Sequence, residues 1–213
     1  QAVDSATLRS GGQTVRVAGI VAVAPDERCA DGSACGAAAR AALAFTRDPA
    51  VSARVQQDTI RAFGRTEAQI ADLDKVIGSG EMLREFDAIL RRYGYDPHNL
   101  GDVLAAHLLI SWEVANDRDS RASPEGQRAV RRQLIGPLAA VPELAAMSDA
   151  AKQAQAERTA YLTMVSALSY QSLKRQGDRQ ALAALASGVQ RSLQVHGVDL
   201  QRLTLGEGGL ARA

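Results

Sequence analysis

The stretch NLGDVLAAHLLISWEVAN, residues 99–116, decides the fold. Asn99 is a typical N-cap residue, and the positions after it contain no proline and only one glycine. Apolar residues occupy nearly every face of the helix that follows, and a helix that is apolar all round is surrounded by other helices. We therefore predict a central helix from Leu100 to Asn116 within an all-α fold, a multi-helix antiparallel bundle.

Helix boundary signals lie on both sides of this central segment. Asp48 and Pro49 form an N-cap followed by proline at the first helical position, and Gly64 ends that helix. A capping box of Thr66 and Gln69 begins a helix that ends near Gly78, and a further helix runs from Glu81 to Tyr93. Later helices are predicted from after Ser123 to Gly136–Pro137 and from Asp149 to Gln176, and a last helix ends at Gly197. Pro137 is expected to kink or end its helix because proline lacks the N–H donor.

The N-terminal region has a different composition. Residues 14–23, TVRVAGIVAV, are the one β-branched run of the chain and follow a turn signal at residues 10–13. We predict a strand there, in a hairpin with residues 6–9. Because a two-stranded unit is marginal alone, the arm either lies on the helical body or pairs with the sheet edge of another chain. The candidate partner-binding residues are Val15, Val17, Ile20, Val21 and Val23.

The only two cysteines, Cys29 and Cys35, flank a short loop with Gly32 at its centre. Such a loop can turn back on itself and bring both sulfurs within bonding distance. An even cysteine count in a chain that begins at Gln1, without an initiator Met, favours a disulfide and hence a periplasmic or extracellular location. A metal site and two free thiols are the alternatives. No second cysteine pair or His-x-x-x-His completes a metal ligand set in the sequence.

Three regions follow from these patterns: an arm with the cysteine loop over residues 1–35, a helical bundle over 36–205, and a glycine-rich tail over 206–213 that is predicted to be flexible. With 213 residues, 46% of them hydrophobic, the chain is long enough to bury a substantial core. The formal net charge of +1 gives no general attraction to nucleic acid. No apolar run reaches the roughly 18 residues of a transmembrane segment.

His107 and Trp112 both lie on the central helix. Of the residues three and four positions from His107, only Ser111 is polar. A catalytic or metal-binding histidine needs polar partners, so we predict a buried histidine that is hydrogen-bonded to a neighbouring helix. Trp112, the only tryptophan, is predicted to be a core residue. The three histidines are dispersed along the sequence, so we predict neither a metal nor a cofactor.

Three carboxylates complete the candidate polar site, namely Asp102, Glu113 and Glu157. Asp102 falls in the first turn of the central helix, where a negative charge interacts favourably with the helix dipole. The expected ion pairs are Glu113 with Arg118 or Arg121, and Glu157 with Arg131 or Arg132. Acid–base catalysis would require two such carboxylates in one cleft, and no residue is assigned a catalytic role here.

Common catalytic and nucleotide-binding motifs are missing from the sequence. It contains no Gly-x-Ser-x-Gly elbow, no phosphate loop and no dinucleotide fingerprint after its predicted strand. The basic cluster Arg128, Arg131 and Arg132 has no interleaved aromatic residues, whereas binding of single-stranded nucleic acid uses such residues for stacking. Nucleic acid is therefore not an expected partner.

The segment from Tyr93 to Leu205 resembles a family of uncharacterised exported bacterial proteins that is classed only as a domain of unknown function. The resemblance rests on Asn99-Leu100-Gly101-Asp102 followed by Trp112, on Met147-Ser148-Asp149-Ala150-Ala151-Lys152-Gln153 leading to Ala156-Glu157, and on Gly197-Val198-Asp199-Leu200 before Leu203 and Leu205. The family implies a helical fold and an envelope location, and it implies no activity.

These observations favour an exported, non-enzymatic interaction protein that serves as an accessory, adaptor or assembly subunit. Its partner would be another envelope protein, or a second copy bound through the N-terminal arm. The alternative is a helical protein that binds or hydrolyses a small ligand in a cavity near His107, lined by Asp102 and Glu113. An inhibitor or immunity-type protein of an envelope enzyme is a further alternative.

Overall fold

The computed structural model describes residues 6–10, 13–17 and 35–212, and this part of the chain is mostly helical. Its nine α-helices are α1 Cys35–Leu43, α2 Pro49–Phe63, α3 Glu67–Leu73, α4 Glu81–Arg92, α5 Leu100–Asn116, α6 Pro124–Ala139, α7 Pro142–Ala145, α8 Asp149–Gln176 and α9 Arg179–Gln194. Its four strands are β1 Ala6–Ser10, β2 Gln13–Val17, β3 Leu203–Gly206 and β4 Gly209–Arg212. The predicted helical character is confirmed.

Side-chain caps fix the beginnings of the main helices, as the sequence predicts. The Asp48 carboxylate accepts a hydrogen bond from Ala50 N at 2.8 Å, and Asn99 Oδ1 accepts one from Gly101 N at 3.0 Å. Thr66 and Ser148 cap α3 and α8 in the same way. Each cap satisfies a backbone donor that has no partner inside its helix.

Helix α5 occupies the centre of the bundle. Twelve of its seventeen residues are buried, and it packs against α6, α8 and α9. Trp112 is 6% exposed, and its Nε1 donates to Leu203 O at 2.9 Å. The apolar, all-round pattern of residues 100–116 is therefore explained by neighbours on several sides.

Helix α6 continues through Pro137 to Ala139, so Gly136–Pro137 does not end the helix. The residue before a proline is pushed out of the helical region by contact between its Cβ and the proline ring. Gly136 has no Cβ and relieves this contact. Leu138, which is 3% exposed, anchors the last turn in the core.

The C-terminal residues form a hairpin where the sequence predicts a flexible tail over 206–213. Strands β3 and β4 pair antiparallel, with Gly206 opposite Gly209 and Glu207 and Gly208 between them. Leu210 is 2% exposed, and the Gln133 side chain bonds both its N–H and its carbonyl. The glycines that suggest disorder are therefore the turn of a hairpin that α6 holds in place.

The N-terminal hairpin predicted from the sequence is present, with Ala6 opposite Val17 and Ser10 opposite Gln13. Val15 and Val17 lie in β2, whereas Ile20, Val21, Val23 and Cys29 lie outside the described residues. The proposed Cys29–Cys35 disulfide therefore also lies outside them.

Candidate functional site

A cleft of about 680 Å³ opens between α4, α5, α8 and the connection from α5 to α6. Its floor is apolar, and buried side chains from three helices form it: Leu90 of α4, Leu109 and Val114 of α5, and Met164 of α8. Volumes of about 300–1,000 Å³ are typical of small-molecule sites. We call this feature the tyrosine cleft, because three of the four tyrosines of the chain line it.

The three tyrosines of the cleft are Tyr93, Tyr95 and Tyr170. Tyr93 ends α4 and is 43% exposed, so its ring is accessible to a ligand. Tyr95 is buried and donates its hydroxyl to Gln127 O at 2.9 Å. Burial raises the pKa of Tyr95 to about 12, so this phenol is neutral at physiological pH. Tyr170 donates its hydroxyl to the Asp117 carboxylate.

Five basic side chains line the tyrosine cleft against three acidic ones. Two of the five are already paired, because Lys174 Nζ lies 2.7 Å from Asp117 Oδ1 and Arg121 Nη2 lies 2.7 Å from Asp119 Oδ2. The remaining basic residues are Arg92, Arg118 and Arg175. None of these three forms an ion pair with any residue that the structure describes.

The acidic residues of the cleft are each engaged by donors from the protein. Glu113 Oε1 accepts from Ser120 N at 2.8 Å. Asp117 caps the end of α5 in a left-handed conformation, and its hydrogen bonds with Lys174 and Tyr170 lower the pKa of its carboxyl group. Hydrogen bonds from the Arg121 side chain and backbone lower the pKa of Asp119 to about 2. The cleft thus presents positive charge that has no ion-pair partner in the described part of the chain.

The sequence-predicted candidates do not converge on this cleft, and Glu113 is the one that lines it. Asp102 is fully buried and accepts two hydrogen bonds from Arg131, at 2.6 and 2.5 Å, and one from Asp96 N at 2.7 Å. Its contacts extend well beyond the helix-dipole role expected from the sequence. Trp112 lies in the core, as predicted.

His107 contacts the neighbouring helix α8, as the sequence predicts. Its Nδ1 lies 2.8 Å from Thr163 Oγ1, and the Thr163 hydroxyl itself donates to Thr159 O at 2.6 Å. The Thr163 oxygen is therefore the acceptor, and Nδ1 carries the proton. Burial lowers the pKa of His107 to about 4.

Glu157 has a different ion-pair partner from the one expected. Arg131 is bound to Asp102, and Glu157 Oε1 instead lies 3.2 Å from Arg47 Nε. The same carboxylate oxygen accepts from Ser52 Oγ at 2.8 Å and from Gln153 Nε2 at 2.9 Å. The reason is that α8 packs on α2, and its residues Asp149 and Gln153 bind the backbone just before α2. The expected pair of Glu113 with Arg118 or Arg121 is likewise not formed, since Glu113 caps Ser120.

The sequence does not predict that the tyrosines and arginines of the cleft lie together. One signal was available, the run Arg91-Arg92-Tyr93-Gly94-Tyr95, which places cations and aromatics side by side after α4. Tyr170 and Arg175 lie about 80 residues further on, and no local pattern joins them to this run. In the described residues, no group of three His, Cys, Asp or Glu side chains could hold a metal ion.

The fold and the site thus define a mostly helical protein with a cleft that is lined by aromatic residues and rimmed by cations. The sequence profile of a family of unknown function (DUF6683) matches residues 15–212, and the chain belongs to that family. Comparison with curated proteins and with solved structures gave no match. None of the helices in the described residues has the length and apolar character that a membrane span requires.

Proposed function

We propose that this protein is a non-enzymatic binding protein and that the tyrosine cleft holds an amphipathic anion. One observation carries the proposal: an apolar floor and three tyrosines adjoin three arginines that have no ion-pair partner among the described residues. A guanidinium group binds carboxylates, sulfonates and phosphates through paired N–H donors. The floor favours an apolar or aromatic body, and Tyr93 offers an exposed ring face to stack on it.

The cleft discriminates between ligands by charge. The acidic residues that could bind a cation already accept hydrogen bonds from the protein, and two of them are ion-paired. A ligand cation would have to displace these partners, whereas a ligand anion meets unpaired arginines. We therefore expect anionic ligands to bind more tightly than neutral or cationic ligands of the same shape.

A pair of naphthalene dyes tests this function. We expect 8-anilinonaphthalene-1-sulfonate to bind at least about 10-fold more tightly than its uncharged counterpart N-phenyl-1-naphthylamine, which corresponds to about 1.4 kcal/mol. Replacing the unpaired arginines together, as Arg92→Gln/Arg118→Gln/Arg175→Gln, should abolish this preference. Fluorescence titration measures both affinities.

The matched control is Arg54→Gln/Arg65→Gln/Arg179→Gln, which changes the net charge equally at exposed positions outside the cleft. It should retain the preference, because long-range charge alone is screened by salt. Equal affinities of the wild-type protein for the two dyes, or equal losses in the two triple variants, would refute the proposal.

Export is a separate part of the proposal. The pair Cys29 and Cys35, closing a short loop, supports a disulfide and thus an oxidising compartment such as the periplasm. Intact mass measured with and without reductant tests the disulfide directly. Identical masses would remove the argument for a periplasmic or extracellular location.

The N-terminal hairpin supports a second function, association with another envelope protein or with a second copy of the chain. In the described residues, β1 and β2 pair only with each other, and neither outer edge pairs with a further described strand. An open strand edge is a template for pairing with another sheet. Removal of residues 1–24 should then abolish association.

A further inference from the structure

A smaller pocket of about 250 Å³ adjoins the tyrosine cleft and differs from it in chemistry. Five residues line both, namely Arg92, Tyr93, Tyr95, Arg121 and Gln127, so the two spaces meet beside the end of α4. Pro124 and Arg128 line only the smaller pocket, and no acidic side chain lines it. We call it the arginine pocket.

The arginines of this pocket retain hydrogen-bond donors for a ligand. Arg121 uses Nε and Nη2 to bind Asp119, and Arg128 uses the same two atoms to bind Glu125. Each therefore keeps its Nη1 group without an acceptor in the described residues. Arg92 has all its side-chain donors unused in that part of the chain. Three guanidinium groups thus line one small space, and two of them, Arg121 and Arg128, are also ion-paired with carboxylates that do not line it.

The two adjoining spaces together form a site with one cationic end and one apolar end. The apolar floor residues Leu109 and Met164 line the tyrosine cleft only, and Arg128 lines the arginine pocket only. A ligand that fills both spaces needs a compact anionic group joined to an apolar chain or body. This polarity determines the orientation of the ligand as well as its class.

We infer that the ligand is a single-chain amphiphile with a carboxylate or phosphate head group, the head in the arginine pocket and the chain along the floor of the tyrosine cleft. This inference rests on the proposed function and adds the ligand class and its direction. A fatty acid and a monoalkyl phosphate share the required chemistry. They differ in head group, and a phosphate offers more acceptor oxygens than a carboxylate to the unused donors of Arg92, Arg121 and Arg128.

Isothermal titration calorimetry below the critical micelle concentration tests the inference with dodecyl phosphate and dodecanoate. Dodecyltrimethylammonium and inorganic phosphate are the control ligands. We expect both anionic amphiphiles to bind, at least about 10-fold more tightly than the cationic amphiphile and than inorganic phosphate. Whichever of the two binds more tightly identifies the head group.

Arg128→Gln and Arg132→Gln form the matched pair of variants. Both change an exposed arginine of α6, but only Arg128 lines the arginine pocket. Loss of one charge-assisted donor group should weaken dodecyl phosphate about 5- to 10-fold in Arg128→Gln and leave Arg132→Gln at the wild-type affinity. Circular dichroism of both variants confirms that they are folded.

The outcomes separate this inference from the proposed function. If the anionic dye binds the cleft but the amphiphiles bind without regard to head group, or Arg128→Gln has no effect, the ligand class is wrong and the binding function stands. Inorganic phosphate that binds as tightly as dodecyl phosphate would overturn the role of the chain. If neither dyes nor amphiphiles bind, both proposals fail.

Discussion

His107 is a base that the fold keeps neutral. Its Nδ1–H donates to Thr163, and burial lowers its pKa from 6.5 to about 4. The unfolded chain therefore takes up a proton near pH 6.5, whereas the folded chain takes one up only near pH 4. Between these values the unfolded state binds more protons, so the free energy of unfolding falls as the pH is lowered.

We predict that His107→Gln removes this part of the pH dependence. In the wild-type protein the contribution is fully present above about pH 6.5 and is lost by about pH 4, and it amounts to at most about 3 kcal/mol at 1.36 kcal/mol per pKa unit. Urea unfolding at several pH values, compared between the two proteins, measures the difference. Parallel curves for the two proteins would show that the folded protein does not hold His107 neutral.

At the residue scale, the sequence predicts which side chains are buried better than it predicts which side chains they contact. Burial of Trp112 and the interhelical bond of His107 follow from their places on an all-apolar helix. The partner of Asp102 does not, because Arg131 lies 29 positions away on another helix. Which side chains meet between helices depends on how each helix is rotated and crossed, and this is set by packing rather than by local sequence.

The C-terminal hairpin shows how one side chain can hold an element in place. Gln133 of α6 donates to Leu210 O at 3.3 Å and accepts from Leu210 N at 3.1 Å, as a further strand would. Gly209, with φ of +102°, brings the β4 backbone against this side chain. A Cβ at that position would overlap the Gln133 amide group.

We predict that Gly209→Ala costs about 1–3 kcal/mol of unfolding free energy, because the methyl group meets Gln133 and the positive φ is unfavourable for alanine. Gly208→Ala is the control, since an added Cβ there has no atom within 4 Å. Guanidinium unfolding followed by circular dichroism compares the two. Equal stability of the two variants would contradict the role assigned to this contact.

At the scale of elements, a helix boundary with a side-chain cap can be predicted from the sequence, whereas an element that contradicts its local signals cannot. Asp48, Asn99 and Ser148 begin helices as predicted, because each satisfies local backbone donors. The local sequence predicts neither the continuation of α6 through Pro137 nor the C-terminal hairpin, because burial of Leu138 and Leu210 outweighs the local signals. Proline and glycine lower the local preference for regular structure, and burial of an apolar neighbour can outweigh that cost.

The whole molecule combines a helical body with a hairpin whose strands are Ala6–Ser10 and Gln13–Val17. Most apolar burial in the described residues comes from helices between Leu43 and Val189. We therefore expect the body to fold without the hairpin, and the proposed association to require it.

We predict that deletion of residues 1–24 leaves the helical circular dichroism and the thermal midpoint unchanged but abolishes co-purification with a partner and any self-association. Size-exclusion chromatography with light scattering measures self-association, and affinity purification from the native host measures the partner. Unchanged association after the deletion would refute the role of the arm. The full chain with the substitution Arg54→Gln, outside the hairpin, is the control for effects of purification.

At this largest scale, the helical class follows from the sequence and the tyrosine cleft does not. The cleft joins Tyr93 and Tyr170, whose helices meet only after folding. Its floor residues look like ordinary core positions in the sequence, because an apolar residue that lines a cavity has the same periodicity as one that fills the core.

The bond from Trp112 Nε1 to Leu203 O gives the protein an intrinsic optical reporter. The only indole of the chain lies where the C-terminal segment docks on the central helix, and indole emission shifts to longer wavelength when water reaches the ring. Undocking of this segment would thus change the emission colour without a label. Comparison of this emission with the helical circular dichroism then distinguishes local release of the C-terminus from unfolding of the whole body.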